Sequence, residues 1–488
     1  MQDGVYEIAP SAPETAQPSN IDLNTIADSI NKNSKAGGNE LKLYEKVGIG
    51  NGSMANNPWL QELPDAISKA TWGNYLAVSI KYAEDNKLKS GEVVTVSANG
   101  KSVKVPVLVQ PGQARDSFSL AIGYGRTKAG KAGNDIGANA YPFATYKDGT
   151  LCYVATNVDV KSTGEFDQIA QTQTHHTIMG RPIVQESVLE KYVQDPYAGR
   201  HREKIHTSEG LKDPEHVSIW YEHDMVNHHW GMTIDLNSCI GCGACVIACN
   251  VENNIPVVGK KEVINRREMH WMRIDRYYSS KEEQVDKHER DLSKMEWPEE
   301  NPEVTFQPML CQQCNHAPCE TVCPVAATTH SSEGLNQMAY NRCVGTRYCA
   351  NNCPYKVRRF NWFKYFENSK FDKNLSMNND LGRMVLNPDV TVRSRGVMEK
   401  CTFCVQRIQA GKLEARRDKR TVNDGEIVTA CAATCPTNAI VFGDLNDKKS
   451  KVYEQVADEN KERAYHVLEE IDTRPNIAYL TKIRNKKA

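Results

Sequence analysis

Valine-rich segments and helical periodicity dominate the upstream part of the chain. Residues 92–97 and 101–109 alternate valine with polar residues on either side of Asn99-Gly100, and this combination predicts a β-hairpin. Apolar residues recur at roughly helical spacing over 67–86 and 178–194, where we predict helices. The upstream part is therefore expected to be β-rich with a few helices.

The rest of the chain has weaker periodicity. Residues 1–57 are rich in Ser, Asn, Ala, Pro and Gly and predict an irregular tail, and residues 195–230 form a polar, histidine-rich connector. From 231 to 445 the pattern favours loops and short elements, with a strand near Trp271. A terminal helix is predicted within 450–470.

Composition narrows the function classes. Lys and Arg number 60 against 61 for Asp and Glu, so the formal charge is −1, which argues against a dedicated nucleic-acid binder. The mean hydropathy is −0.58 and no apolar run approaches the roughly 18 residues that a membrane span needs. The unusual number is the 16 cysteines.

Fifteen of these cysteines fall into four groups that share tight Cys-x2-Cys or Cys-x3-Cys spacings, and three of the groups are followed directly by proline. Group one is Cys239, Cys242, Cys245 and Cys249; group two is Cys311, Cys314, Cys319 and Cys323; group three is Cys343, Cys349 and Cys353; group four is Cys401, Cys404, Cys431 and Cys435.

Three chemistries compete for such thiols. Disulfides suit short secreted domains that lack a core, which is a poor match for 488 residues. Structural zinc uses two separated Cys-x2-Cys pairs, whereas group one places four thiols within eleven residues. The x2, x2, x3 spacing is that of bacterial ferredoxins, in which the fourth cysteine ligates the other cluster of a pair. The spacing therefore favours iron–sulfur clusters.

Group three lacks one thiol, because Thr346 stands where the second cysteine of the pattern belongs. A hydroxyl is a poorer ligand for iron than a thiolate. The simplest consequence is a [3Fe-4S] cluster on three cysteines. The alternative is a four-iron cluster completed by Thr346, water or another side chain.

The cysteine motifs resemble a known family. The segments 238–249, 311–319 and 343–360 are similar to the four-cluster electron-transfer subunits of dimethyl-sulfoxide, polysulfide and nitrate reductases. Residues 58–143 resemble the last domain of molybdopterin oxidoreductases. The two modules in one chain, with a threonine in group three, resemble the B subunit of alternative complex III. The chain is short for that family, so most of a pterin-type catalytic body is expected to be missing upstream.

The resemblance implies how the groups share ligands. Groups one and four exchange cysteines, as do groups two and three, and this gives three [4Fe-4S] clusters and one [3Fe-4S] cluster. The implied ligand sets are Cys239, Cys242, Cys245 and Cys435; Cys401, Cys404, Cys431 and Cys249; Cys311, Cys314, Cys319 and Cys353; and, for the three-iron cluster, Cys343, Cys349 and Cys323.

The implied fold class is α+β: a polyferredoxin-type domain preceded by a β-rich domain like those that bind molybdopterin dinucleotide. The predicted organisation is a tail over 1–57, the pterin-type domain over 58–194, a connector over 195–230, the four-cluster domain over 231–445, and a helix and tail over 446–488.

The implied function is electron transfer in a membrane-associated quinol oxidoreductase, with no bond-making chemistry in this subunit. The implied partners are a polytopic quinol-binding membrane subunit and a multihaem c-type cytochrome subunit, on the periplasmic face of the bacterial inner membrane. No molybdenum and no nucleic acid are expected. Two alternatives stay open: the electron-transfer half of a molybdenum respiratory reductase, and a zinc-stabilised scaffold without a redox role.

A few other polar residues have plainer interpretations. The adjacent histidines at 175–176 and 228–229 are predicted to be solvated, because neighbouring side chains point in different directions. Cys152 lies in an apolar segment and is predicted to be a buried small hydrophobe. Arg358 and Arg359 could contact a partner or a quinone headgroup, or be solvated or ion-paired.

Overall fold

The computed structural model describes residues 22–33, 38–147, 149–286, 288–366, 368–371, 380–457 and 462–486. It is a mixed α/β structure with two main sheets, one upstream and one downstream of residue 230.

The upstream sheet has seven strands. In spatial order they are Asp159–Phe166, Glu92–Ala98, Lys101–Val109, Leu76–Val78, Ser117–Ala121, Glu40–Tyr44 and Val154–Ala155. The predicted hairpin is confirmed: Glu92–Ala98 pairs antiparallel with Lys101–Val109, and Asn99 and Gly100 both have positive φ, as a tight primed turn requires. Alternate side chains of these strands, such as Val94, Val105 and Phe118, form a buried core.

Several upstream predictions are wrong. Residues 67–79 contain the strands Ala70–Thr71 and Leu76–Val78, and only Ile80–Asp85 is helical, because pairing with Lys101–Val109 prevails over local helical periodicity. The predicted irregular tail contains the helix Leu23–Asn33 and the strand Glu40–Tyr44, which pairs with Ser117–Ala121. Of the predicted helix over 178–194, only Leu189–Gln194 is helical.

The downstream sheet joins the two ends of the cysteine-rich region. Its four strands are, in spatial order, Ile440–Asp444, Trp230–Asp235, Ile477–Leu480 and Ala464–Tyr465. Trp230–Asp235 is buried along all but its last residue and pairs antiparallel with Ile440–Asp444 and parallel with Ile477–Leu480. The chain before the first cysteine group therefore lies against the chain after the last one.

Short elements make up the rest of the described chain. The paired strands are Ala70–Thr71 with Ala170–Gln171, Thr145–Lys147 with Thr150–Cys152, Glu186–Val188 with Lys482–Arg484, Ile205–Thr207 with Gly210–Lys212, Arg273–Tyr278 with Val304–Met309, Thr328–His330 with Asn336–Met338, and Arg359–Phe360 with Met398–Glu399. The other α-helices are Pro58–Glu62, Ala244–Glu252, Lys260–Ile264, Leu292–Met295, Pro318–Thr321, Tyr348–Asn351, Asp380–Arg383, Val405–Arg417, Ala430–Ala433 and Lys451–Val456.

Two further predictions can be compared with these elements. The strand expected near Trp271 is present as Arg273–Tyr278. The terminal helix predicted over 450–470 is limited to Lys451–Val456, because Ala464–Tyr465 forms the edge strand of the downstream sheet. Residues 458–461, within the predicted helix, lie outside the described part of the chain.

The upstream and downstream modules pack against each other through polar contacts. The Arg276 Nε donates to the carbonyl of Ile67 at 2.8 Å, and Arg115 pairs with Glu300 at 2.8 Å. Lys260 pairs with Asp167, also at 2.8 Å. These three contacts hold the upstream module against residues 260–300 of the downstream module.

Candidate metal centres

The loop before the first cysteine-bearing helix turns through left-handed backbone. Gly243 has φ +81° and immediately precedes the helix Ala244–Glu252. A Cβ at Gly243 would lie 2.9 Å from the Cδ1 of Leu63. Glycine therefore suits both the backbone angle and the space at this position.

Groups two, three and four use similar turns. Gly345 has φ +73°, and a Cβ there would lie 2.6 Å from the carbonyl oxygen of Gly396. Arg347 and Cys404 are also left-handed, each directly before a helix.

The four ligand sets that the resemblance implies are named A to D here, and the thiols within and between them interact electrostatically. Burial and then the charges of Cys431, Cys239, Cys242 and Cys435 raise the pKa of Cys245 well above its usual range. Set A is the ligand set Cys239, Cys242, Cys245 and Cys435 that the resemblance implies, and Cys431, which also acts on Cys245, belongs to set B.

Set B lies next to set A. Burial, followed by the charges of Cys401, Cys404 and Cys431, raises the pKa of Cys249 well above the ordinary thiol value. Set B is Cys249, Cys401, Cys404 and Cys431. The helix Ala244–Glu252, which carries Cys245 and Cys249, packs against the helix Ala430–Ala433, which carries Cys431, so sets A and B adjoin at this contact.

Sets C and D are formed in the same way by groups two and three. Burial and then Cys311, Cys319 and Cys353 raise the pKa of Cys314 well above its usual range, and these four thiols are set C. The pKa of Cys349 is raised by burial and also by Cys343 and Cys323, while Arg358 opposes the rise. Set D is Cys323, Cys343 and Cys349.

Two thiols that precede proline have lowered pKa values. Partial burial acts to raise the pKa of Cys323, but the backbone N–H groups of Val325, Thr328 and Ala327 outweigh it. The N–H of Ala327 donates to the Cys323 Sγ at 3.2 Å, and the N–H of Ala439 donates to the Cys435 Sγ at 3.3 Å. Both donors lie four residues after their cysteine, so the Cys-Pro turn favours the thiolate form that metals require.

Side-chain donors also reach the sulfur atoms. The Asn253 amide lies 3.6 Å from the Cys249 Sγ and 3.8 Å from the Cys404 Sγ, both in set B. In set C the Asn336 amide lies 3.7 Å from the Cys319 Sγ. Such donors stabilise negative charge on sulfur and thereby influence reduction potential.

All 16 cysteines are free thiols, and iron–sulfur clusters are held by cysteine thiolates. Within the described residues no group of three His, Cys, Asp or Glu side chains that could hold a single metal ion is found.

Set D has three thiols. Thr346 is solvent-exposed in the loop between Cys343 and Cys349. The one cysteine outside sets A to D is Cys152, at the end of the upstream strand Thr150–Cys152. No fourth cysteine of the chain is therefore available to set D.

Some remaining predictions can now be corrected. Cys152 is half-buried, since its strand forms a two-stranded pair outside the main upstream sheet. His228 and His229 are half-buried and held, His228 by Asp444 at 2.6 Å and His229 by Asn476 at 2.7 Å. Contacts across the downstream sheet therefore position these histidines, which the sequence alone presents as solvated. His175 is exposed, as predicted, whereas His176 is half-buried.

The two adjacent arginines have different environments. Arg359 is ion-paired with Glu268 at 3.0 Å, one of the roles considered for it. Arg358 is buried, and its Nη2 donates to the Cys319 Sγ at 3.0 Å. Sequence reasoning missed this contact and also missed Lys400, whose side chain is fully buried beside Cys401. Their only sequence signal is proximity to cysteine motifs.

Comparison with known proteins supports the cluster interpretation. Two models described as 4Fe-4S dicluster domain match residues 238–327 and 302–374. The iron–sulfur cluster-binding subunit of menaquinone reductase from Nitratidesulfovibrio vulgaris is 38% identical over 258 residues, which cover 52% of this chain and 89% of that protein.

Two further relatives have related names. A putative iron–sulfur subunit of dimethyl sulfoxide reductase from Halobacterium salinarum is 32% identical, over 52% of this chain and 79% of its own length. Iron–sulfur subunit 1 of an Hdr-like menaquinol oxidoreductase from Archaeoglobus fulgidus is 31% identical, over 46% of this chain and 73% of its own. The chain therefore belongs to the family of iron–sulfur subunits with 4Fe-4S dicluster domains that occur in menaquinol and dimethyl-sulfoxide-type reductases.

Proposed function

We propose that this chain is the electron-transfer subunit of a membrane-associated quinol oxidoreductase. In this proposal sets A, B and C each hold a [4Fe-4S] cluster and set D holds a [3Fe-4S] cluster. The observation that supports it most strongly is the sequence of neighbouring thiol sets. Cys245 of set A interacts electrostatically with Cys431 of set B, and Cys401 of set B with Cys311 of set C.

Arg358 extends the series to set D. Its guanidinium interacts with Cys319 and Cys311 of set C and with Cys349 of set D. The four sets thus follow one another in the order A, B, C, D. A linear series of redox centres is the arrangement that single-electron conduction through a protein needs.

The protein's own groups set the conditions for that conduction. When bound, the clusters would accept and release single electrons. The buried thiolates hold the metal, the backbone N–H groups of Ala327 and Ala439 stabilise charge on sulfur, and the surrounding apolar core excludes water. Burial, donors to sulfur and ligand identity are the means by which a protein adjusts potential.

More specifically, we propose that the chain is the B subunit of an alternative complex III. Quinol would be oxidised in a separate polytopic membrane subunit and electrons would pass to a multihaem c-type cytochrome, on the periplasmic face of the membrane. The supporting observations are the two-module chain, Thr346 in group three, and the menaquinone and menaquinol enzymes among the relatives. No helix within the described ranges is long and apolar enough to cross a membrane.

The upstream module has its own part in this proposal. We assign residues 58–194 to a pterin-type domain that holds no molybdenum, with Glu40–Tyr44 added to its sheet. The resemblance of residues 58–143 supports the domain type, and the contacts of Arg115 and Lys260 with the opposite module support a structural role.

Iron and acid-labile sulfide analysis of the anaerobically purified complex tests the proposal. We expect about 15 iron and 16 sulfide per chain, together with the oxidised-state EPR signal of one three-iron cluster. Acid-labile sulfide near zero, with zinc bound instead of iron, would overturn it.

A molybdenum respiratory reductase is the second candidate, favoured by the dimethyl sulfoxide reductase relative. Metal analysis of the same complex distinguishes the two. Stoichiometric molybdenum would favour the reductase, whereas its absence together with c-type haem would favour the quinol oxidoreductase.

A further inference from the structure

Two buried cations lie among sets B, C and D, and neither makes an ion pair with a carboxylate in the described part of the chain. Arg358 is 6% exposed and Lys400 is 0% exposed. Most cations are found at the surface, and burying one without a counter-charge costs several kcal/mol. Their surroundings therefore need an explanation.

The acceptors of Arg358 are neutral groups and one thiol. Its Nη2 donates to the Cys319 Sγ at 3.0 Å and to the Asn336 Oδ1 at 2.8 Å. Its Nη1 donates to the Thr328 Oγ1 at 3.1 Å. Within the described residues, Arg358 makes no ion pair with a carboxylate.

Lys400 is similar. Its Nζ donates to the carbonyl oxygen of Cys401 at 2.9 Å and to that of Asn336. Asn336 thus accepts from both cations. The carboxylate of Glu320, which contacts Asn336, is engaged by the Asn336 amide and by His330 and makes no ion pair with either cation among the residues that the structure describes.

Two other cations in this region have acid partners. The buried Arg393 pairs with Glu399 at 2.8 Å, and the half-buried Arg359 pairs with Glu268 at 3.0 Å. Near set A, the two buried cations Lys69 and Arg276 both interact with the acids Asp275 and Asp65. Arg358, by contrast, lies between the thiols of sets C and D and makes no ion pair with a carboxylate of the described residues.

A cluster held by thiolates supplies the missing negative charge. Four thiolates around a [4Fe-4S] core leave the site anionic, and one-electron reduction makes it more so. A fixed cation in a low-dielectric interior stabilises the reduced form more than the oxidised form. Arg358 therefore favours electron occupancy at sets C and D, and the charge of Lys400 also acts on Cys319 of set C.

We propose that Arg358, assisted by Lys400, raises the reduction potentials of the clusters in sets C and D above those in sets A and B, so that a single electron donated by quinol resides preferentially at the C–D end. This inference rests on the proposed function. Arg358 is a positioning residue in this role, since it acts through the cluster and is itself neither oxidised nor reduced.

EPR-monitored redox titration of the intact complex tests the inference. We expect Arg358→Gln to shift the one-electron equilibrium at sets C and D toward the oxidised form by about tenfold or more, which is 59 mV per factor of ten. Arg358→Lys keeps the positive charge, so the reduction potentials of its clusters should stay closer to those of the wild type. Lys400→Gln should shift the one-electron equilibrium of the cluster in set C in the same direction, by a smaller factor.

Arg359→Gln is the matched control, because Arg359 is the adjacent residue and its charge is already balanced by Glu268. Arg359→Gln should change the reduction potential of the cluster in set C by less than Arg358→Gln does. Iron and sulfide content is measured for every variant, so that loss of a cluster is distinguished from a change of potential.

Each outcome decides the inference. Full iron and sulfide with unchanged potentials in Arg358→Gln would overturn it and leave the proposed function intact. If Arg358→Gln does not assemble its clusters, Lys400→Gln provides the test. If neither variant assembles clusters, the two cations are structural and the inference fails. Absence of clusters from the wild type would instead refute the proposed function.

Discussion

The Oε2 of Glu62 accepts a hydrogen bond from the backbone N–H of Gly259 at 2.7 Å, and this contact joins the upstream module to the chain that follows the first cysteine group. The same carboxylate accepts from the N–H of Val258 at 3.0 Å and from the Trp72 indole at 2.9 Å. Glu62 is 1% exposed. One buried acid therefore connects two modules that lie far apart in the sequence.

This acid makes stability depend on pH. Burial, only partly offset by its N–H donors, raises the pKa of Glu62 from about 4.5 to about 7. The folded protein then binds the proton more tightly than the unfolded chain, so stability from this group is lost as pH rises from 4.5 through 7, by up to about 3 kcal/mol. Denaturation at pH 5.5 and pH 8 should show the loss, and Glu62→Gln should reduce it. An equally steep dependence in the variant would contradict this assignment.

The ion pair of Arg393 and Glu399 should be essential to the core around group four. The Arg393 Nη2 lies 2.8 Å from the Glu399 Oε2, and both side chains are at most 1% exposed. Glu399→Gln leaves Arg393 buried without a counter-charge and should cost about 3–5 kcal/mol of unfolding free energy. Denaturant titration measures the loss. The exposed pair Arg417–Glu414 provides the control, since Glu414→Gln should have little effect.

Thr346→Cys should convert the three-iron cluster into a four-iron one. The variant places a thiol at the position in group three where the ferredoxin pattern has one. The oxidised-state EPR signal of the three-iron cluster should disappear, and iron should rise by about one atom per chain. Thr346→Ser is the control and should retain the signal. A wild-type protein with four cubanes and no such signal would contradict the role given to Thr346.

Cys431→Ser and Cys152→Ser should have opposite outcomes. Cys431 is buried in set B, so its loss should remove about one cluster, roughly a quarter of the iron. Cys152 lies outside the four sets, at the end of an upstream strand, and its substitution should leave iron and sulfide unchanged. Equal iron loss in both variants would mean that the effect arises from folding rather than from ligation.

Short-range sequence patterns were sufficient to predict the cysteine loops and one β-hairpin. The cysteine spacings and the Asn99-Gly100 turn involve residues only a few positions apart, so the ferredoxin-type loops and the hairpin could be predicted from sequence. Helical spacing over 67–86 was an unreliable guide, because strand pairing with Lys101–Val109 decides the conformation of Leu76–Val78.

The tertiary structure determines which residues from distant parts of the chain lie beside the cysteine loops. Arg358 reaches Cys319 across 39 residues of sequence, and Glu62 reaches Gly259 across 197. No local pattern encodes such contacts, because burial and charge balance at a site depend on every element packed around it. Sequence thus determined which residues can hold clusters and which ligand sets the resemblance implies, whereas the fold determined that the buried Arg358 lies against Cys319.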